Sequence, residues 1–423
     1  MKVALMFYGN LPEQGGVGQN LECLIKTFKT KKEKLFFFNP FYKNSNTINI
    51  LRRTKIGIPN ILLDLVKRQS LRLFLTFTCK LIREKRTSFT DKLRILLYLI
   101  IKPKILNNSI NNIIKIYPHL KRINFDIFLG GTATADVLVI CFILSRIFNK
   151  RIISLAYGNE FLVHTRYSLR TVFFQNIDLL ILGTQTLKEI IKNVHHLSEK
   201  RLKVIHYGLI PHEYVISQSK EELRKEFRIP IDTFVLLSVG RHVSRKKFDL
   251  VIKAIEIIKK QEPEINIRYF LIGEGEETKN LRNLVKSLNL EDVIKFLGYV
   301  DKDIRNKFYK LSDIFLMPSI VEPESIEGFG IVFLEANYFK LPVIGTYSGG
   351  IVEAIKDNET GLLVEENSID DLVNKIYFLY KNKEIRKNMG EKGWQRVIES
   401  FNWDYLANEY INAFKDLITS SKK

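Results

Sequence analysis

The stretch "VALMFYGNLPEQGGVGQNLECLIKTF", residues 3–28, sets an apolar run (Val3–Phe7) before a glycine-rich loop (Gly9–Gly18) and then a helical pattern (Leu21–Phe28). Strand, glycine loop and helix in that order form the entry to a parallel α/β sheet, because parallel neighbours need a crossover that a helix supplies. The unit recurs. Short apolar runs at Leu35–Phe38, Ile127–Leu129, Ile152–Ala156, Leu179–Leu182 and Leu202–His206 each end at a turn or loop, with segments between them long enough for crossover helices. A second series opens after "YGLIPHEY" and "SKEELRKEF", with strands expected at Thr233–Val239, Ile267–Ile272, Ile294–Phe296, Ile314–Met317, Val343–Gly345 and Leu362–Val364. With 423 residues and 46% hydrophobic content, that restart predicts two doubly wound, parallel-sheet α/β domains facing across a cleft. The expected divisions are 1–207, 208–399 and a closing amphipathic helix within 400–423, "FNWDYLANEYINAFKDLI".

Charge narrows the range of partners. The formal net charge is +20, and residues 51–122 hold 17 Lys and Arg against Asp64, Glu84 and Asp91. Within that region basic residues alternate with aliphatic clusters at helical spacing, a pattern suited to an anionic lipid surface, where each basic residue contributes about 1 kcal/mol. The competing explanation is a Lys- and Asn-rich chain whose outer helices happen to be basic. Nucleic acid is a poorer fit, since no recognition motif appears and the interleaved residues are aliphatic rather than aromatic. Cys23, Cys79 and Cys141 have neither disulfide nor metal-ligand spacing, which suggests a reducing compartment. The N-terminus lacks the layout of a signal peptide, and the longest apolar runs fall well short of the roughly 20 residues that span a bilayer. A cytoplasmic protein, with the basic region resting on the inner face of the cytoplasmic membrane, is the expectation.

The chemistry concentrates in the second series. "EGFGIVFLE" places Glu327 and Glu335 around Gly328-Phe329-Gly330, immediately before a helical pattern. Glycines let a ligand approach the backbone, and amides at a helix start attract phosphate. Two carboxylates that accept from hydroxyls, beside amides that bind phosphate, suit a nucleotide diphosphate sugar. After the strand ending at Val239 come Gly240-Arg241 and then Arg245, Lys246 and Lys247, a basic loop at the ligand end of a parallel strand. Arg241 and Lys246 are candidates to clamp a diphosphate; alone, the run would read better as a solvated turn, and its place one strand-end away from the Glu327 loop reverses that preference. Gly273-Glu274-Gly275 and Phe296-Leu297-Gly298 close two further strands, where backbone groups can read a base edge. In the first series, Gly15-Gly16-Val17-Gly18 precedes a helix without the third glycine of the dinucleotide fingerprint, and Tyr157-Gly158-Asn159-Glu160 follows a strand directly. No paired-Asp metal motif occurs in a convincing context.

Taken in order, the Gly15 loop, "SVGR" with "RKK", "LIGEGEE", "VIKFLGYV", "SDIFLMPS", "EGFGIVFLEA" and "GTYSGGIVEAI" resemble the large retaining glycosyltransferase family 4. The likeness covers most of the C-terminal half and, in the N-terminal half, only the loop layout. It implies the GT-B fold, with the donor held mainly by the second domain, the acceptor by the first, and the C-terminal helix crossing back to the first. Residue by residue it gives Arg241 and Lys246 the diphosphate and Glu335 the ribose hydroxyls. Glu327 takes hydroxyls of the transferred sugar, and the amides around Phe329, Gly330 and Ile331 lie near sugar and phosphate. Gly298 falls beside the base, and Gly16 approaches the donor phosphate from the first domain. Neither a metal nor another cofactor is implied, because Arg, Lys and helix N-termini can hold a leaving diphosphate.

The resemblance further implies transfer from a nucleotide diphosphate sugar to a saccharide or lipid-linked saccharide, with retention of configuration, on the way to a cell-surface polysaccharide or lipopolysaccharide. Two positions depart from the family pattern. Tyr157 stands where many members have histidine, so its hydroxyl or Glu160 must substitute if that role is kept. Lys247 stands where glycine commonly follows the clamping lysine. The alternatives are another enzyme of the same fold and a catalytically inactive homologue kept as a binding or assembly module.

Overall fold

The structure, a computed structural model, describes residues 1–6, 16–31, 33–38, 81, 95, 103–158, 171–323 and 325–420. Among the described residues, twelve strands form two all-parallel, six-stranded sheets. The first contains β1 (Lys2–Met6), β2 (Lys34–Phe38), β3 (Ile127–Gly130), β4 (Arg151–Ala156), β5 (Leu179–Leu182) and β6 (Leu202–Val204), in the order β2-β1-β3-β4-β5-β6. The second contains β7 (Phe234–Val239), β8 (Ile267–Ile272), β9 (Ile294–Gly298), β10 (Ile314–Leu316), β11 (Val343–Thr346) and β12 (Gly361–Val364), in the order β12-β11-β10-β7-β8-β9. Every strand overlaps a run expected from sequence. Continuous burial explains why: β3, β5, β7, β10, β11 and β12 are buried at every position. Strands covered on both faces read as unbroken apolar runs rather than alternating ones.

The second sheet has the strand order of a dinucleotide-binding fold and reverses direction between β7 and β10, which pair through Ile314 with Leu236 and Phe315 with Leu237. Ligands of open α/β sheets bind outside the carboxyl ends of the strands at such a reversal. In the first sheet the corresponding reversal separates β1 from β3.

The chain divides into two compact units: Met1–Gly183 with Lys188–Ile205 and Ala407–Lys423, and Thr184–Leu187 with His206–Leu406. Thr184–Leu187 therefore falls with the second unit. The last helix, Trp403–Thr419, begins in the second unit and from Ala407 onward belongs to the first. There Phe414 packs on Phe28 with ring centroids 6.0 Å apart, and Lys415 pairs with Glu33 at 3.2 Å.

Some sequence expectations shift. The helix opened by the first glycine loop already starts at Gly16 and runs to Thr30, so Gly16 and Gly18 are helical. β6 stops at Val204, two residues early, because His206 turns away to stack on Phe329. Residues 7–15 of the glycine loop, Asn159 and Glu160 lie outside the described residues, as does most of the basic region 51–122. The described part of that region includes the helix Pro103–Arg122, which buries Ile113, Ile116 and Leu120 and packs on the helix Ala135–Phe148. No helix among the described residues is long and apolar enough to cross a membrane.

Candidate active site

At the reversal in the second sheet, the loops after β7 and β10 are stitched together. Beyond Val239 the chain passes through Gly240 and exposed Arg241 into a single 3-10 turn, Ser244–Lys246. That turn places Arg245 and Lys246 side by side under the segment following β10. The Ile320 amide donates to the Arg245 carbonyl at 2.9 Å, and the Ser244 hydroxyl donates to Glu322 at 2.7 Å. Lys247 closes the turn with φ 51°, the left-handed region that favours glycine. The departure from the family's glycine thus lies at a position with a real conformational preference.

Three charged side chains meet here. Arg245 donates from Nη1 to Glu327 Oε2 at 2.7 Å and from Nε to Ser325 Oγ at 2.9 Å. Lys246 Nζ donates to the same Glu327 oxygen and touches Met317 Sδ at 2.9 Å. The side chains are 8%, 10% and 13% exposed for Arg245, Lys246 and Glu327, so their charges are held in a largely dry setting. Burial pushes the Lys246 ammonium down to about 8, against the attraction of Glu327 and helped by repulsion from Arg245 and Arg241. Burial alone would raise the Glu327 carboxyl, but the charges of Lys246 and Arg245 outweigh it and hold the group at about 2. At neutral pH all three are therefore charged. Both cations use Oε2, and Oε1 has no hydrogen-bond partner among the described residues. Two cations to one carboxylate, with exposed Arg241 nearby, leave an excess of positive charge able to hold an anion.

The loop that carries Glu327 is tied down through its carbonyls. The Gly350 amide donates to the Glu327 carbonyl at 2.9 Å and the Thr184 hydroxyl to the Gly328 carbonyl at 3.2 Å. Gly330, at φ 82°, caps the helix Ile331–Tyr338, and a side chain there would run into the Phe333 ring. The amides of Phe329, Gly330 and Ile331 have no acceptor among the described residues, in keeping with the unmet donors of a helix start. The Phe329 side chain itself is core, stacked on His206 with centroids 5.9 Å apart and flanked by Tyr207 and Phe401.

Glu335, given the ribose hydroxyls by the resemblance, lies deeper in the second unit. It is 1% exposed, and its two oxygens accept from Tyr214 at 3.0 Å and Tyr309 at 2.8 Å, with Arg305 3.3 Å away. Both oxygens of its carboxylate accept from protein donors. The physical reason is position: four residues into the helix from Ile331, its side chain points into the packed interior, where the negative charge needs these partners. Arg245 is the converse case, a site residue to which the sequence reading gave no role. Its only signal was its place in the basic run beside Lys246, and nothing in the spacing distinguished it from Lys247.

Glycines carry the floor sideways along the strand ends. A side chain on Gly240 would lie 3.7 Å from Lys246 Cε, and one on Gly273, at φ 117°, would collide with the Gly240 carbonyl. Gly273→Ala is therefore expected to destabilise by about 2 kcal/mol or more through strain and collision, read as a lowered denaturant midpoint with unchanged slope. Gly298, φ 67°, ends β9, and its carbonyl accepts from the Gly273 amide at 2.8 Å. In the first unit, Gly16 opens its helix after β1, and the Tyr157 hydroxyl, just past β4, lies 3.4 Å from Asn20 Nδ2.

Residues 219–396 match the family model described as Glycosyl transferases group 1. The chain is 29% identical over 239 residues to an uncharacterised glycosyltransferase of Methanocaldococcus jannaschii, covering 56% of this chain and 59% of that one. It is 33% identical over 191 residues to the GDP-mannose-dependent alpha-(1-6)-phosphatidylinositol monomannoside mannosyltransferase of Mycobacterium tuberculosis, covering 45% and 49%. The chain thus spans about half to three-fifths of the length of these relatives. Its fold is similar to that of sucrose-phosphate synthase from Thermosynechococcus elongatus, with TM-score 0.74, 17% identity, and 99% and 100% of the two chains covered. The two parallel sheets and this structural likeness define a GT-B fold.

Proposed function

We propose that this chain is a glycosyltransferase that moves a sugar from a nucleotide diphosphate sugar to a saccharide or lipid-linked saccharide. The observation that carries it is the Arg245–Lys246–Glu327 cluster at the strand reversal of a segment matching the group 1 family. Relatives whose names specify glycosyl transfer, one of them from GDP-mannose, support the same class of reaction. In this reading Lys246, Arg245 and Arg241, with the amides before the helix Ile331–Tyr338, hold the diphosphate and stabilise charge as it leaves. Glu327 keeps Oε2 on its two cations and offers Oε1 to a hydroxyl of the sugar being moved. Its carboxylate, pinned and charge-paired, is a poor nucleophile. Departure and attack on one face through an ion-pair-like transition state, with net retention, then follow more naturally than a covalent intermediate.

The test is a screen of UDP, GDP and ADP sugars by thermal shift and nucleotide release in the presence of saccharide acceptors, with the product's anomeric configuration read by NMR. Binding without turnover for every donor and acceptor would favour the inactive binding module instead. A cytoplasmic protein acting on acceptors for surface polysaccharide at the inner membrane face is the setting supported by the charge of residues 51–122. Co-sedimentation with anionic vesicles should then exceed that with neutral vesicles at low salt and fall as salt is added; equal recovery on both would remove the membrane from the proposal.

A further inference from the structure

The loop after β8 mounts one carboxylate with unusual firmness. Glu274 lies between Gly273 and Gly275, whose Cα atoms press against the carbonyls of Gly240 and His242 so closely that a side chain on either would collide. The His242 amide donates to the Glu274 carbonyl at 3.1 Å, and the Glu277 amide to the His242 carbonyl at 2.9 Å. On this rigid backbone the Glu274 side chain is exposed, and it has no ion-pair or hydrogen-bond partner among the described residues. It reaches the end of β9, where a side chain on Gly298 would come within 3.2 Å of Oε1. Tyr299, the next residue, is 58% exposed and presents an aromatic ring at the same edge.

β7, β8 and β9 are neighbours, so the line from Lys246 past Gly240 and Gly273 to Gly298 crosses two strand spacings, about 10 Å. That resembles the span of a nucleoside from its phosphate to the far edge of its base. Along that line the charge runs from positive at Lys246 to negative at Glu274, with Gly240, Gly273 and Gly298 between them.

We infer that Glu274 reads the base of the donor and selects guanine. The inference rests on the nucleotide-sugar reading above and deepens it. A carboxylate only accepts hydrogen bonds. Guanine offers it two adjacent N–H donors, N1 and N2, matching its two oxygens. Uracil offers one N–H flanked by two carbonyl oxygens that repel the carboxylate, and adenine offers an amino group beside a lone pair. Tyr299 supplies a face on which a planar base can stack, without itself choosing among bases.

The experiment measures affinities of the full chain for GDP, UDP and ADP by calorimetry, in wild type and in Glu274→Gln and Glu274→Ala. Glu274 is exposed and makes no side-chain bond, so both variants should fold. Wild type is expected to bind GDP tightest, and both substitutions to weaken GDP about tenfold or more, as for hydrogen bonds to a charged group, while UDP and ADP change less than threefold. Equal losses for all three nucleotides, or no loss for any, would overturn the inference and leave the nucleotide-sugar reading standing. Failure of wild type to bind any of the three would overturn both.

Discussion

Glu327→Ala is expected to destabilise the second unit by about 3–5 kcal/mol, the cost of removing one member of a buried ion pair and leaving its partners unpaired. Arg245 and Lys246 are 8% and 10% exposed, and both converge on the oxygen that would be lost. They will not respond alike. Lys246 already sits at about 8 and can shed its proton near neutral pH, whereas a guanidinium cannot and must remain charged with only Ser325 for company. At roughly 2–4 °C per kcal/mol for a domain of this size, the melting temperature should fall by roughly 10 °C. The pH dependence has a definite sign. The Glu327 carboxyl titrates at about 2 in the fold, below its ordinary value of 4.5, so its contribution is complete above 4.5 and fades as pH falls toward 2. Glu327→Ala should lack that part of the acid transition. A variant melting within a degree or two of wild type would show that the cluster contributes little to folding.

The legibility of the fold and the obscurity of part of the site have one physical origin. β7, read as Thr233–Val239 and found at Phe234–Val239, is an apolar run because both of its faces are covered, and a run of that kind needs no partner to be recognised. Gly273 was visible for a related reason: its backbone lies so close to the Gly240 carbonyl that no side chain fits, and the requirement is local. Glu335 was not legible. Its spacing from Glu327 is plain, but whether a carboxylate faces a ligand or a pair of tyrosines depends on Tyr214 and Tyr309, which lie 121 and 26 residues away. Arg245 and Lys246 present the same limit at shorter range. They are adjacent in sequence, and only the 3-10 turn and the return of the Glu327 loop over it bring both onto one oxygen. Motif reading identifies which residues matter when the constraint is in the backbone; when it is a long-range polar partner, the pairing itself must be seen.

Lys246→Ala should lower kcat/KM for the nucleotide-sugar donor by about 100-fold to 1,000-fold, the scale for removing one group that stabilises charge developing on a leaving atom. It should cost far less stability than Glu327→Ala, because Glu327 retains Arg245 and no charge is orphaned. The decisive comparison is with Lys246→Arg across pH. In wild type the ammonium titrates at about 8, so kcat/KM, which reports the free enzyme, should decline tenfold per unit above that value. Arginine stays charged throughout, and Lys246→Arg, even if less active at its best, should hold its rate to pH 10. Titration of Lys246 cannot produce the wild-type decline by unfolding the chain. The Lys246 value lies below its ordinary 10.5, so between about 8 and 10.5 the unfolded chain binds more protons than the folded one, and this group makes the fold more stable as pH rises. Activity lost while stability is held or gained is the signature of a required charge. An alkaline limb that persists unchanged in Lys246→Arg would assign the titration to another group and remove Lys246 from the role of diphosphate clamp.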